Sequence, residues 1–176
     1  MSEIDYAKIE LLVLDVDGVL TDGRVTLTPA GDEIKSFHVR DGAGMKYWGR
    51  LGRKLAIISG RGSPAVGLRA RELGVEVVRL NEKNKLPAYQ DVLEELGLLP
   101  AQAAVIGDDL TDLPMMRHCA LSAAPADAVD EVREAADYIT EKPGGQGAVR
   151  EVIEMILRQA GLWQTILQRY IPESDE

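Results

Sequence analysis

Cysteine is almost missing from the chain. Cys119 is the only one among 176 residues, so no intramolecular disulfide can form, as expected of a protein from a reducing compartment such as the cytoplasm. Flanked by Met116, Ala120 and Leu121, it reads as a small buried hydrophobe rather than a catalytic thiol. No apolar run approaches the ~18 residues of a membrane span. The opening Met-Ser-Glu-Ile-Asp-Tyr lacks the basic and apolar blocks of a signal peptide. Positive charge is also short. There are 20 Lys and Arg against 29 Asp and Glu, for a net charge of -9, which argues against nucleic acid or a membrane surface as a partner. A small anionic substrate remains compatible if a few cations are focused in one cleft. Repeats, linkers and low-complexity stretches are missing too, so residues 1–176 read as one domain, long enough to bury a sizeable core.

What the chain does have is an abrupt transition near its start. Leu-Leu-Val-Leu (11 to 14) is an apolar, strand-forming run, and Asp15-Val-Asp17-Gly18 follows at once. Residues at i and i+2 of an extended chain project to the same side. Asp15 and Asp17 therefore sit together at the carboxyl end of a strand buried on both faces, where open α/β sheets place their ligands. Two adjacent carboxylates repel, so the pair needs a cation, a shared proton or a strong donor.

The following residues do not read as a crossover helix. Arg24 to Leu27 and Glu33 to Val39 are short strand patterns around the turn Thr28-Pro29-Ala30-Gly31-Asp32, so 24–39 is expected to be a β-hairpin flap overhanging the aspartates. Helices are expected from Asp41, as its N-cap, to Leu51, from Pro64 to Leu73 and from Lys85 to Leu96. Shorter ones follow over 114–118 and 127–136, and a long one begins after Gly147. Between them, Lys54–Ile58, Val75–Val78, Ala103–Ile106, Ala120–Ser122 and Tyr138–Thr140 read as strands. The alternation predicts an α/β fold: a doubly wound, mostly parallel, Rossmann-like sheet with helices on both faces. Beyond Gly161, residues 162–176 form an apolar tail ending in Glu-Ser-Asp-Glu, with Trp163 and Tyr170 expected at a subunit interface.

Polar residues gather at the strand ends. Asp15, Asp17, Ser59, Lys85, Asp108, Asp109 and Asp112 fall on one rim of one sheet, and so many carboxylates cannot share a small volume without compensation. The natural partner is a hard divalent cation with oxygen ligands, Mg²⁺ above all, which also binds substrate phosphate. Lys85 adds a point charge, and Ser59 with the Gly60 to Gly62 amides offers donors for phosphoryl oxygens. An ionised Asp is then a nucleophile able to form an aspartyl-phosphate, and a second carboxylate two residues on serves acid/base chemistry. With carboxylates sufficient for a metal, His38 and His118 read as a flap residue and a surface residue.

Asp15-Val-Asp17, Ser59, Lys85 and Gly107-Asp108-Asp109-Leu-Thr-Asp112, in that order, resemble the four motifs of the haloacid dehalogenase superfamily. The resemblance implies Asp15 as nucleophile and Asp17 as general acid/base, with Ser59 and Lys85 on the phosphoryl group. It implies a metal held by Asp15, Asp108 and the carbonyl of Asp17, with Asp109 and Asp112 supporting the metal waters and Lys85. Only 41 residues separate Asp17 from Ser59 and 25 separate Ser59 from Lys85, so no cap domain fits. Leu14 to Gly23, Val-Arg-Asp-Gly (39 to 42), Ser-Gly-Arg (59 to 61), Asn-Lys-Leu (84 to 86) and Gly144 to Val152 are similar to one capless family, the 3-deoxy-D-manno-octulosonate 8-phosphate phosphatases. That similarity implies a homotetramer whose flaps and tails cover neighbouring sites. It also implies substrate contacts at His38, Val39, Arg40, Asp41, Gly42, Arg61, Arg69 and Lys85. Phosphatases of nine-carbon sialic-type acid 9-phosphates share most of these motifs, but several carry an acidic residue where this chain has Arg61. A receiver-like signalling domain, the alternative of another class, also uses clustered aspartates, Mg²⁺ and a lysine. Its phospho-acceptor should lie on a later strand than its paired metal-binding acids. A non-catalytic scaffold is disfavoured by the complete set of catalytic groups.

Overall fold

The computed structural model describes residues 4–171. Six parallel strands form its main sheet: β1 (Leu11–Leu14), β4 (Lys54–Ser59), β5 (Val77–Leu80), β6 (Ala103–Ile106), β7 (Leu121–Ala124) and β8 (Tyr138–Ile139). Their spatial order is β5-β4-β1-β6-β7-β8. The chain runs outward from β1 to one side, then returns to β6 and builds the other. β1 and β6 therefore flank the switch point, where crossover connections leave in opposite directions and open a crevice at the carboxyl ends.

β1 shows why the centre of the sheet is so apolar. It is covered on both faces and all four of its residues are buried, as parallel strands require when helices pack on either side. Leu12 and Leu14 point into one core with α1 (Val39–Arg50), α2 (Pro64–Leu73) and α6 (Ala148–Gln159). Leu11 and Val13 point into the other with α3 (Lys85–Leu96), α4 (Leu113–Met116) and α5 (Asp130–Ala135). The stripe Val149, Val152, Ile153, Ile156 and Leu157 is wholly buried, so α6 is fixed by packing rather than by helix propensity.

The expected hairpin is present but short. β2 (Thr26–Leu27) and β3 (Glu33–Ile34) pair antiparallel, with Thr26 opposite Ile34 and Leu27 opposite Glu33. Val25, Leu27 and Ile34 are exposed. With little apolar area to bury, a lone two-stranded ribbon gains too little to extend its ladder.

The return segment ends early because α1 starts at Val39, two residues before the expected Asp41, with His38 as its flanking residue. Asp41 does not cap its own helix. Its buried carboxylate accepts hydrogen bonds from the amides of Gly147 (3.1 Å) and Arg150 (2.8 Å), capping α6 from across the fold. The sequence pattern cannot distinguish the two roles, because either one places an acid near a helix start.

The C-terminal segment also differs from expectation. α7 (Trp163–Leu167) folds back on its own subunit, burying Trp163 and Ile166. Tyr47 meets the Trp163 ring at 6.1 Å and the Tyr170 ring at 5.9 Å. Both aromatics thus have partners within the chain, Trp163 buried and Tyr170 exposed. The acidic end, residues 173–176, lies outside the described residues.

Replacing Asp41 by Ala removes the cap from α6 and is expected to cost about 1 to 2 kcal/mol in urea unfolding. Asp41→Asn, which keeps an acceptor, should lose less. Equal stability of Asp41→Ala and the parent would show that α6 does not depend on this cap.

Candidate active site

β1 delivers Asp15 directly. Its amide donates to the Ile106 carbonyl at 3.1 Å, continuing the ladder one residue beyond the strand. The chain then turns sharply, and the Val16 carbonyl accepts from the amides of Val19, Leu20 and Thr21. Gly18 has φ of +89°, and a Cβ there would stand 2.0 Å from Asp108 Oδ2. Both the backbone and the neighbouring carboxylate therefore require glycine. The glycine-rich segment 144–147 packs on this turn: the Gly145 amide donates to the Val19 carbonyl at 2.9 Å, and a Cβ on Gly144 would fall 1.7 Å from the Gly18 carbonyl oxygen.

Neighbouring strands supply the rest. Ser59 ends β4, buried, with its hydroxyl accepting the Arg61 amide at 3.2 Å. Lys85 opens α3, and its ammonium lies 2.6 Å from Asp112 Oδ1 and 2.9 Å from Asp15 Oδ1. Asp108 follows β6. Fully buried Asp112 accepts the amides of Asp108 (3.1 Å) and Asp109 (3.3 Å) on its other oxygen. One side chain thus fixes both the lysine and the loop that carries Asp108. Asp109 is exposed, and its carboxylate accepts from the adjacent Leu110 amide. Asp15, Asp17, Ser59, Lys85, Asp108 and Asp109, together with Arg61, Lys83 and Thr111, line a cleft of about 460 Å³.

The electrostatics show what the cleft lacks. Burial first, then the charges of Asp15 and Asp112, push the Asp108 carboxyl up to about 8. Burial and Asp112 raise Asp15 as well, against the pull of Lys85. Lys85 is itself lowered by burial, but Asp15 and Asp112 outweigh this and its pKa ends up raised. A single ammonium faces three carboxylates whose oxygens come within 4.8 Å of one another.

The oxygens of Asp112 are already used. Asp108 Oδ1 is buried with no hydrogen-bond partner, and Asp15 Oδ1 has Lys85 nearby without the alignment of a hydrogen bond. Hard oxygens, excess negative charge and unpartnered acceptors fit a divalent cation such as Mg²⁺. Asp15 and Asp108 are the side chains free to hold it, while Asp112 positions them. The Asp17 carboxylate is not in this group and faces Lys35 and Arg61 instead.

The residues singled out from sequence divide into two sets. Asp15, Asp17, Ser59, Arg61, Lys85, Asp108 and Asp109 line the cleft, with Asp112 directly behind. His38, Val39, Arg40, Asp41, Gly42 and Arg69 do not. Arg69 pairs with Glu72 at 2.8 Å and lies over the Phe37 ring. It also packs so closely on Gly42 that a Cβ there would meet its guanidinium at 2.3 Å. Val39 and Arg40 face outward. His118 is exposed, its Nδ1 2.7 Å from the Pro114 carbonyl oxygen, and burial holds the Cys119 thiol up at about 12. Besides Gly23, Glu82, Lys83 and Thr111 on the cleft wall, two residues bonded to the site are not evident from sequence: Glu33, on Arg61, and Lys35, on Asp17, both from the hairpin. Their signal is the i, i+2 charge alternation on a segment already expected to overhang the aspartates.

The class follows from this arrangement and from likeness. Residues 68–153 match the haloacid dehalogenase-like hydrolases. The chain is 44% identical over 153 residues to the 3-deoxy-D-manno-octulosonate 8-phosphate phosphatase of Escherichia coli, covering 87% of this chain and 81% of the relative. The enzyme of the same name from Haemophilus influenzae is 42% identical, with 87% and 85% covered. The crystal structure of the Moraxella catarrhalis phosphatase, in complex with a magnesium ion, a phosphate ion and a KDO molecule, superposes with a TM-score of 0.92 at 37% identity, over 94% of this chain and 95% of that one. The chain belongs to the 3-deoxy-D-manno-octulosonate 8-phosphate phosphatase family.

The raised carboxyls give a pH prediction. Between the ordinary carboxylate range near ~4 and about 8, the folded state holds more protons at Asp15 and Asp108 than the unfolded state does. This contribution to metal-free stability therefore falls as pH rises across that window. Mg²⁺ favours the ionised forms, so its increase in thermal midpoint should be larger near pH ~8.5 than near pH ~5.5. Calorimetry with and without Mg²⁺ checks this. Equal shifts at both pH values would count against a metal seated on Asp15 and Asp108.

Proposed function

We propose that this chain is a Mg²⁺-dependent phosphomonoesterase that hydrolyses 3-deoxy-D-manno-octulosonate 8-phosphate to the free sugar acid and phosphate. The observation that carries the reading is the buried Asp15–Lys85–Asp112 group at the floor of a cleft with Arg61 on its rim, in a chain so similar to enzymes of that name. Lys85, the Ser59 hydroxyl and the amides after it hold the phosphoryl oxygens. An Asp15 oxygen attacks phosphorus, and the ester P–O bond breaks with its electron pair going to the sugar oxygen. Asp17 supplies that oxygen with a proton. Water then attacks the aspartyl-phosphate at phosphorus and gives a proton back to Asp17, which frees phosphate and restores Asp15. Mg²⁺, held by Asp15, Asp108 and the Asp17 carbonyl, supplies Lewis-acid stabilisation of charge on the phosphoryl group. Arg61 offers a fork for the substrate carboxylate. These features favour turnover over a receiver-like domain, and the relatives' names favour the eight-carbon acid over a nine-carbon one.

The reading includes a cytoplasmic homotetramer. Its support is the exposed apolar side chains of the hairpin, Val25, Leu27 and Ile34, and the exposed Val39. Among the described residues no helix is long and apolar enough to cross a membrane. The tail gives less support than the hairpin, since α7 is committed to its own subunit. His38, Val39, Arg40, Asp41, Gly42 and Arg69 would meet substrate in a neighbour's cleft, with Asp41 also capping α6 and Arg69 packing on Gly42 and Phe37 within its own chain.

Phosphate release should be fastest with 3-deoxy-D-manno-octulosonate 8-phosphate, require Mg²⁺, and fall by about 10³-fold or more in Asp15→Asn. Retained release in that variant would refute the nucleophile, and preference for a nine-carbon acid phosphate or a simple hexose phosphate would refute the substrate. Light scattering should give four times the subunit mass. A fully active monomer would remove the tetramer from the proposal.

A further inference from the structure

The hairpin does more than overhang the cleft; it sets a lysine against one of the carboxylates that line it. Lys35 follows β3 on a short ribbon with little packing of its own, yet its side chain is only 1% exposed. A lysine buried this far needs a charge partner. Its ammonium bonds Asp17 Oδ1 and lies 3.4 Å from Glu33. Glu33 in turn takes the Arg61 guanidinium at 2.7 Å, and Arg61 Nε approaches Asp17 Oδ2 at 3.6 Å. Asp17, Lys35, Glu33 and Arg61 therefore close a ring of alternating charge, two members from the hairpin and two from the cleft. The opposing charges of Arg61 and Lys35 more than offset burial at Glu33, and hold its carboxyl below the usual range.

The geometry points to Lys35 as the residue that positions Asp17 for proton delivery; we propose this role on the basis of the reaction given above. The Asp17 side chain has two torsions. The turn that carries it fixes its backbone but does not choose which oxygen faces the phosphoryl group. A charge-assisted bond on Oδ1 makes that choice. It leaves Oδ2, met only by the looser approach of Arg61, as the oxygen that exchanges a proton with the sugar oxygen. Lys35 itself neither gives nor takes a proton, and no bond to it forms or breaks. Glu33 anchors the other side of the ammonium and turns Arg61 toward the cleft. The hairpin is thereby a part of the catalytic apparatus as well as a cover.

The test uses leaving groups of different basicity. A sugar alkoxide needs a proton to depart, whereas p-nitrophenolate does not. In the full-length, Mg²⁺-loaded enzyme, Lys35→Met should lower kcat on 3-deoxy-D-manno-octulosonate 8-phosphate by about 10- to 100-fold, within the range that general acid–base catalysis contributes. KM should change by less than about threefold, and the loss on p-nitrophenyl phosphate should be at least about tenfold smaller than that on the sugar phosphate. Lys35→Arg, which keeps a charged donor, should recover most of the difference. Equal losses on both esters, or no loss on either, would overturn the proposal while leaving the phosphatase assignment intact. Should Lys35→Met fail to fold, Lys35→Gln takes its place on the same two esters, and the same outcomes support or overturn the proposal. Wild-type enzyme inactive on both esters would instead refute the phosphatase reading itself.

Discussion

Three carboxylates held around one buried ammonium set the terms for the rest of this molecule. Asp15, Asp108 and Asp112 would drive one another apart in any flexible setting. Here they are brought together by backbone that has no freedom to yield: a central strand, an adjacent strand end and a tight loop. Lys85 offsets part of the charge, and Asp112 is fully occupied in holding the lysine and the loop amides. The remaining deficit falls on Asp15 and Asp108, the two groups raised furthest from ordinary carboxylate behaviour. The site is thus pre-organised to receive positive charge. Until a cation is seated, the same excess negative charge disfavours an anionic phosphoryl group beside Asp15.

The parallel sheet is what makes such a concentration of charge tolerable. Its two cores, packed on either face of β1, provide a stable base, and the strand order brings the carboxyl ends of β4, β1 and β6 side by side. Every group at the floor of the cleft comes from one of those ends or from the start of the helix after β5. None of the three clustered carboxylates follows the edge strands β5 or β8, although Glu82 after β5 reaches the cleft wall. Strain is confined to loops, while the sheet beneath them stays regular.

Much of this could be read from the chain because the chemistry is local. Asp15 and Asp17 announce themselves by sitting at the end of an apolar run, and Asp108 and Asp112 do the same after Ala103 to Ile106. Helices such as Lys85 to Leu96 have strong periodicity and a terminating glycine, so their ends are visible too. Legibility fails where a residue's partner is distant in sequence. Asp41 looks like the cap of its own helix and serves one more than 100 residues later. Trp163 lies in an apolar tail with no evident partner and finds Tyr47. Nothing in its pattern announces that Arg69 packs on Gly42 and Phe37. Lys35 is the opposite case: by pattern an ordinary surface lysine, it is buried because the hairpin folds over Asp17.

The turn at Gly18 carries a consequence for how this enzyme can be lost. Its Cα faces Asp108, and the Gly144 Cα faces its carbonyl, with no room for a methyl group in either direction. Asp15, Asp17 and Lys85 could all be retained while one added carbon pushes the carboxylates out of register. Inactivation of this kind subtracts nothing from the chemical inventory. A degenerate copy of the gene could keep every reactive residue and still encode a protein without turnover, so an intact set of catalytic side chains is not a sufficient signature of activity in this fold.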